Sequence, residues 1–516
     1  MLSQDEFTRY GEAGFNLVPL WKVLPLPERL DPLDLYRALA NRRDDYLFET
    51  GEWENAAFTR HYSTIGLPCS ERIELDEDAI RHLRHGRVES EQRTDDPLTA
   101  LRRLQEGFRV PHFDGLPPFS GGLFGYFGFE TTRLIEPRLR RVARKPSGLQ
   151  VPDVVKLVSR ELVVIDHRRR QLFCIVHEDP REAGSHARGT ARLEAIVAQV
   201  QALGATPERV PGTTQGLTVD ASRLSFGFAR EAYEGAVDRI KDYIAAGDVM
   251  QVVLAQRMSR PLACDATALY RALGDLAQTP YRYVVNLGEC AIVGASPEML
   301  VQQRGDIVTS RPMAGTRRRT QDDAEDARLK EELLADPKEI AEHMMLVDLA
   351  RNDVGRLAVA GGVQVDELLT VEYFSHVMHI VSTVTGKLPG QVNGLDVLRS
   401  TFPAGTLSGA SKVRALEVIA ELEPHSRGIY GGAVGYLDWR GQAELAITIR
   451  TGVLQGGLLH VQSGAGVVKD SVAEREWQET MDKSRMMLLA AELAERQSET
   501  ETARPGAAQQ EATACI

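Results

Sequence analysis

Residues 442–462, QAELAITIRTGVLQGGLLHVQ, alternate apolar and polar side chains before they meet a pair of glycines. Over 442–450 the alternation sets Leu445, Ile447 and Ile449 on one face, with Glu444, Thr448 and Arg450 on the other. This is the period-two pattern of a strand with one buried face. Gly456-Gly457 followed by LLHVQ then predicts a hairpin. Working outward, Tyr233, Val237, Ile240 and Ile244 recur at helical spacing until Gly247, and MQVVLAQRM (250–258) follows as a strand. Towards the N-terminus, 151–165 and 171–177 are strand-like and 185–203 is helical. Strands joined by tight turns, with long helices between them, predict an α+β fold with mostly antiparallel sheets.

The chain has 516 residues, enough for about three domains or two large ones. Apolar residues make up 43% and charged residues 26%, which excludes a disordered, fibrous or disulfide-scaffold protein. The Gly, Pro, Thr and Ser-rich stretch 204–224 is the expected linker between an N-terminal domain (1–203) and a second domain (225–495). Residues 496–516 are polar and low in complexity, and are expected to form a disordered tail. Against 73 acidic residues stand 61 Lys and Arg, a net charge of −12, so no general field attracts phosphate backbones or nucleic acid. A small anionic ligand would need local Arg or Lys residues, or a metal. Cys69, Cys174, Cys264, Cys290 and Cys515 are odd in number and widely spaced, which fits a reducing cytoplasm. The N-terminus lacks the basic and apolar regions of a secretory signal, and no run of about 18 apolar residues predicts a membrane span.

Two acidic constellations stand out. On the helix predicted over 338–353, Glu339 and Glu342 are three apart and share a face. In 470–485, Glu476, Glu479 and Lys483 fall on one face in the same way. Two such pairs suit a hard cation such as Mg²⁺, although Glu-x-x-Glu on a helix is also the pattern of a plain solvated face. The glycine-rich SGAGVVKDS (463–471) suits either a turn or close approach of backbone N–H groups to an anion. His379 shares a strand face with Val377 and Val381, as a hydrogen-bonded core histidine or as a functional one.

The strings AGDVMQVVLAQR (246–257), GASPEMLV (294–301), RPMAGTRRR (311–319), KEIAEHMMLVDLARNDVGR (338–356), PAGTLSGASK (403–412), GIYGGAVGY (428–436), AITIRT (446–451) and SGAGVVKDSVAEREWQET (463–480) occur in family order. With VMHIVS (377–382) and GGLFGYFGFE (121–130), they resemble the chorismate-utilising enzymes, most closely the anthranilate synthase component I family. The resemblance implies two intertwined domains built on antiparallel β-sheets flanked by helices. It also implies a lyase that converts chorismate and ammonia to anthranilate and pyruvate through 2-amino-2-deoxyisochorismate, at the first step of tryptophan biosynthesis. An enzyme that stops at the aminated intermediate, or a paralogue in secondary metabolism, is the nearest alternative.

Site roles follow from the matched motifs. Glu342 and Glu479 match Mg²⁺ ligands, with Glu339 and Glu476 as neighbouring acids. Tyr430 and Arg450 match residues that hold the enolpyruvyl end, while Gly315, Thr316, Gly464, Ala465, Gly466 and Lys483 line the site, with Lys469 a further possible cation. Glu298 matches the acid that protonates the departing 4-hydroxyl, and His379 the histidine needed to eliminate pyruvate. Gln251 stands where water-adding relatives carry a lysine base, and Ala314 where others carry a lysine nucleophile; both point to amination at C2. No nucleophile elbow surrounds any cysteine, so ammonia is expected from a separate glutamine amidotransferase subunit, in a heterotetramer. The family's tryptophan site maps to Thr50, Pro280, Tyr281 and Arg282. Arg282 replaces a methionine there, which implies weakened feedback. Ser411 replaces a proline, a change that nothing here explains.

Overall fold

The computed structural model describes residues 2–54, 57–204, 212–320, 322–374 and 377–502. Two twelve-stranded sheets dominate it, and their pairings are antiparallel. Each sheet draws strands from both sides of the expected linker. In the first, Asp45–Glu54 pairs with Tyr281–Asn286. In the second, Gly122–Phe127 pairs with Ala433–Asp438.

The sheets stack face to face, and period-two alternation divides their side chains between different cores. Tyr46, Phe48, Leu162 and Val164 of the first sheet meet Phe124, Tyr126, Val434 and Tyr436 of the second in a shared core. Leu47, Val163 and Ile165 face outward into a second core, against Ala266–Leu276, Ser185–Leu203 and the long helix Ala473–Thr502. The outer face of the second sheet packs on Pro97–Glu106, Gly394–Thr401 and Pro337–Gly355. The result is helix, sheet, sheet, helix.

The hairpin predicted at Gly456-Gly457 forms, joining Thr451–Gln455 to Leu458–Val467 with both glycines at positive φ. The single strand predicted over 442–450 does not. Ala443–Ile447 belongs to the second sheet and Thr451–Gln455 to the first, so the chain crosses between sheets at Thr448–Arg450. Arg450 turns that corner at φ +51, which ends the alternation. The stretch 151–165 divides likewise, into Val154–Ser159 and Glu161–Asp166 in different sheets. The last helix runs to Thr502, past the point where the tail was expected to begin; residues 503–516 lie outside the described residues, as do 205–211 of the linker. Among the described residues no helix is long and apolar enough to cross a membrane.

Candidate active site

Asp336 caps the helix Pro337–Gly355, accepting from the backbone N–H groups of Lys338 and Glu339 at 3.0 and 3.4 Å. Glu339 therefore sits in the first turn, beside the strand Met313–Arg318. Arg317 on that strand reaches Glu339 at 3.1 Å, Asp336 at 2.9 Å and Glu332 at 3.2 Å. The strand bulges between Ala314 and Thr316, and Gly315 lies at φ +72. A Cβ there would stand 3.2 Å from Glu339 Oε2 and 3.1 Å from Ile380, so glycine is what allows the carboxylate to approach this backbone.

His379 pairs with Thr316 across the ladder. Its Nδ1 lies 3.0 Å from the Gly315 carbonyl oxygen and 3.0 Å from Thr316 Oγ1. A carbonyl only accepts, so Nδ1 carries the proton and Nε2 keeps a lone pair. Phe374 meets the ring edge-on at 5.2 Å. Burial, with a smaller push from Arg450, lowers His379 to about 4, against the Gly315 contact that favours the charged form. The imidazole is neutral near pH 7.

The second helix, Ala473–Thr502, brings Glu476, Glu479 and Lys483 to the same place. Lys483 Nζ contacts Glu479 at 2.7 Å and donates to the Gly464 carbonyl at 3.0 Å. Arg450 donates to the Lys483 carbonyl. Gly464 makes room for Tyr430, since a Cβ there would come within 3.1 Å of the phenol oxygen. Glu342 is pushed up by burial, with the charges of Glu339 and Glu479 adding and Lys338 opposing. Glu476 is pushed up by burial and by Glu479, against Ser471, Lys483 and Lys338. Carboxylates from two helices thus feel one another across a gap. Among the described residues no three His, Cys, Asp or Glu side chains are gathered closely enough to hold a metal ion. Repulsion between these half-buried carboxylates is nevertheless the donor chemistry that a hard cation relieves, so Glu342, Glu476 and Glu479 fit one.

Glu298 enters from the bend between Ala291–Ser296 and Met299–Arg304. It is 8% exposed, and Thr406 Oγ1 donates to its Oε1 at 2.9 Å. Burial raises it to about 7, while Thr406 and Lys483 favour the charged form. A carboxyl poised there can give a proton at neutral pH. Gln251 lies over Gly466, where a Cβ would stand 2.7 Å from its amide nitrogen. Ala465 alternates with Gly464 and Gly466, so its methyl faces the other side and only its backbone is available. Thr406 was not picked out from the sequence; its only signal was membership of PAGTLSGASK.

Thr50 and Tyr281 pair across the first sheet and, with Pro280, line a cavity of about 1190 Å³. Arg282 does not enter it. It points to the opposite face, donates to Glu49 at 2.7 Å and lies over the Tyr270 ring at 4.6 Å. Glu49 is also held by Arg60 at 3.1 Å and Ser63 at 2.9 Å. The cation mapped to the tryptophan site is thus the partner of a buried carboxylate, Glu49, from the Leu47–Thr50 stretch mapped to the same site.

Two stacked antiparallel sheets, between which the chain crosses at Thr448–Arg450, bring Glu298, His379, Arg450 and Lys483 near the carboxylates of two helices. The chain belongs to the chorismate-binding enzyme family, whose model matches residues 43–489. More particularly, it is 45% identical over 505 residues to anthranilate synthase component 1 of Pseudomonas aeruginosa, covering 96% of this chain and 100% of that one. The protein of the same name from Neisseria gonorrhoeae is 44% identical, over 96% of this chain and 99% of its own. The crystal structure of anthranilate synthase component I from Streptococcus pneumoniae superposes with a TM-score of 0.72 at 33% identity, covering 90% of this chain and 99% of that one.

Proposed function

We propose that this chain is the large subunit of a Mg²⁺-dependent anthranilate synthase of the cytoplasm, acting on chorismate with ammonia from a separate glutamine amidotransferase subunit in a heterotetramer. The observation that carries the reading is the pairing of roles: Glu298 is held near neutrality as an acid, and His379 is held neutral with Nε2 free. The family relationship supplies the substrate class.

Chorismate's carboxylates would meet Arg450, Tyr430, Lys483 and the backbone of Gly464–Gly466. Glu342 and Glu479, with Glu339 and Glu476 beside them, would hold Mg²⁺, which would supply positive charge to offset the ring carboxylate and so favour loss of the 4-hydroxyl. Glu298 gives its proton to that hydroxyl, which leaves as water while ammonia adds at C2. Gln251 is a neutral amide that cannot deprotonate water, and this favours a nucleophile that is already competent. His379 Nε2 then takes the C2 proton as the bond to the enolpyruvyl oxygen breaks; protonation of the released fragment gives pyruvate, and the ring becomes aromatic. Gly315 and Thr316 hold the imidazole in the tautomer this step needs.

Purified protein given chorismate, Mg²⁺ and ammonium should produce fluorescent anthranilate. Consumption of chorismate to an amine without pyruvate would assign it to the amination step alone.

A further inference from the structure

Behind the site, one buried ion pair ties together several of its walls. Arg427 is 1% exposed and Glu423 3%. Arg427 donates to Glu423 Oε2 at 2.9 Å, to the Leu407 carbonyl at 2.7 Å and to the Val253 carbonyl at 2.8 Å. Glu423 Oε1 in turn accepts the Ala255 N–H at 2.9 Å. The guanidinium lies 4.3 Å over Phe129 and 5.7 Å from the Tyr430 ring. Its own backbone is fixed by Glu130, which accepts the N–H groups of Arg427 and Gly428, each at 2.9 Å.

A planar fork presents five donors on three separated nitrogens and so spans two carbonyls and a carboxylate on different elements; an ammonium has its three donors on one nitrogen and does not reach across the same separation. A fully buried pair is also weak evidence of a stability role, because desolvation offsets most of the attraction. What this pair does is geometric. Leu407 follows Thr406, whose hydroxyl is the hydrogen-bond partner of Glu298. Through the Leu407 carbonyl, the guanidinium fixes the turn that presents that hydroxyl.

The geometry points to Arg427 as a positioning residue for the proton donor, acting on Glu298 through the Leu407 carbonyl and the Thr406 hydroxyl. The inference rests on the function proposed above and adds a residue to it. Arg427 touches no reacting atom; it fixes where the acid stands relative to the leaving hydroxyl.

The test is a double-mutant cycle of Arg427→Lys and Thr406→Val, with folding of each variant checked by near-ultraviolet circular dichroism. Alone, Arg427→Lys should lower kcat per folded enzyme by about 10- to 100-fold, the scale of a small misplacement of a catalytic group. In the Thr406→Val background the same substitution should cost less than about three-fold, because the link it acts through is already cut. Equal losses in both backgrounds, or a lower melting temperature with kcat unchanged, would overturn the inference. If Arg427→Lys does not fold, Glu423→Gln takes its place in the cycle. Failure of both to fold would show that the pair serves the fold alone, and also overturns it. An unmodified protein that makes no anthranilate would remove the functional reading itself, whereas an active one with an additive cycle removes only the role of Arg427.

Discussion

His379 Nδ1 stands 3.0 Å from the carbonyl oxygen of Gly315, a contact that fixes the imidazole tautomer and leaves Nε2 as a base. Replacing the ring by His379→Ala should therefore spare amination and stop elimination. The expected outcome is an aminated product without pyruvate, and anthranilate formation lower by about 100-fold or more. Chromatography of the product mixture, with a coupled pyruvate assay, checks this.

The same carbonyl depends on Gly315. At φ +72, with Glu339 Oε2 3.2 Å from where a Cβ would be, Gly315→Ala meets both backbone strain and a carboxylate. A cost of about 1–3 kcal/mol in urea unfolding is expected, with a larger proportional loss of pyruvate release than of chorismate consumption.

Activity should have a defined pH window. Glu298, raised to about 7, must be protonated to act, so kcat/KM should fall as pH rises through that value. His379, lowered to about 4, is neutral and competent above it. A profile measured at constant free ammonia checks both limbs, and Glu298→Gln should cost about 10²- to 10⁴-fold in kcat.

Arg282 is a stability residue in this account. Removing it by Arg282→Met leaves Glu49 with Arg60 as its remaining cationic partner, so the loss should be real but smaller than the ~3–5 kcal/mol of leaving a buried charge unpaired. Burial pushes Glu49 up, but the charges of Arg282 and Arg60, with hydrogen bonds from Tyr270 and Arg282, together depress it to about 2. A depressed carboxylate stabilises above its unfolded value and loses that contribution as pH falls towards about 2. Urea unfolding of both proteins between neutral and acid pH should show the gap closing in acid.

Much of this was legible in the sequence, and the exceptions share a cause. The helix presenting Glu339 and Glu342 and the Gly456-Gly457 hairpin follow from local spacing and turn chemistry. Alternation, however, says which residues share a face and not which sheet a strand joins. Two of the corners where the chain changes sheet, at Arg160 and at Thr448–Arg450, were hidden inside continuous strand-like patterns. The contact of Arg282 with Glu49 could not be read from spacing, because the two residues are 233 apart in the chain. The sheet exchange that hid Arg450 is also what brings it beside Lys483.

Glu342 and Glu479 lie on different helices, and each should be indispensable if a cation joins them. Glu342→Gln and Glu479→Gln should abolish turnover while leaving the fold intact, and chelation should do the same to the unmodified protein. Retained activity in either variant would remove that residue from the metal role.

The most direct measurement is the stoichiometry of the reaction itself, with pure protein, chorismate, Mg²⁺ and ammonium. The account predicts anthranilate and pyruvate in equal amounts, matching the chorismate consumed. An amine released without pyruvate, or chorismate left unchanged, would contradict it.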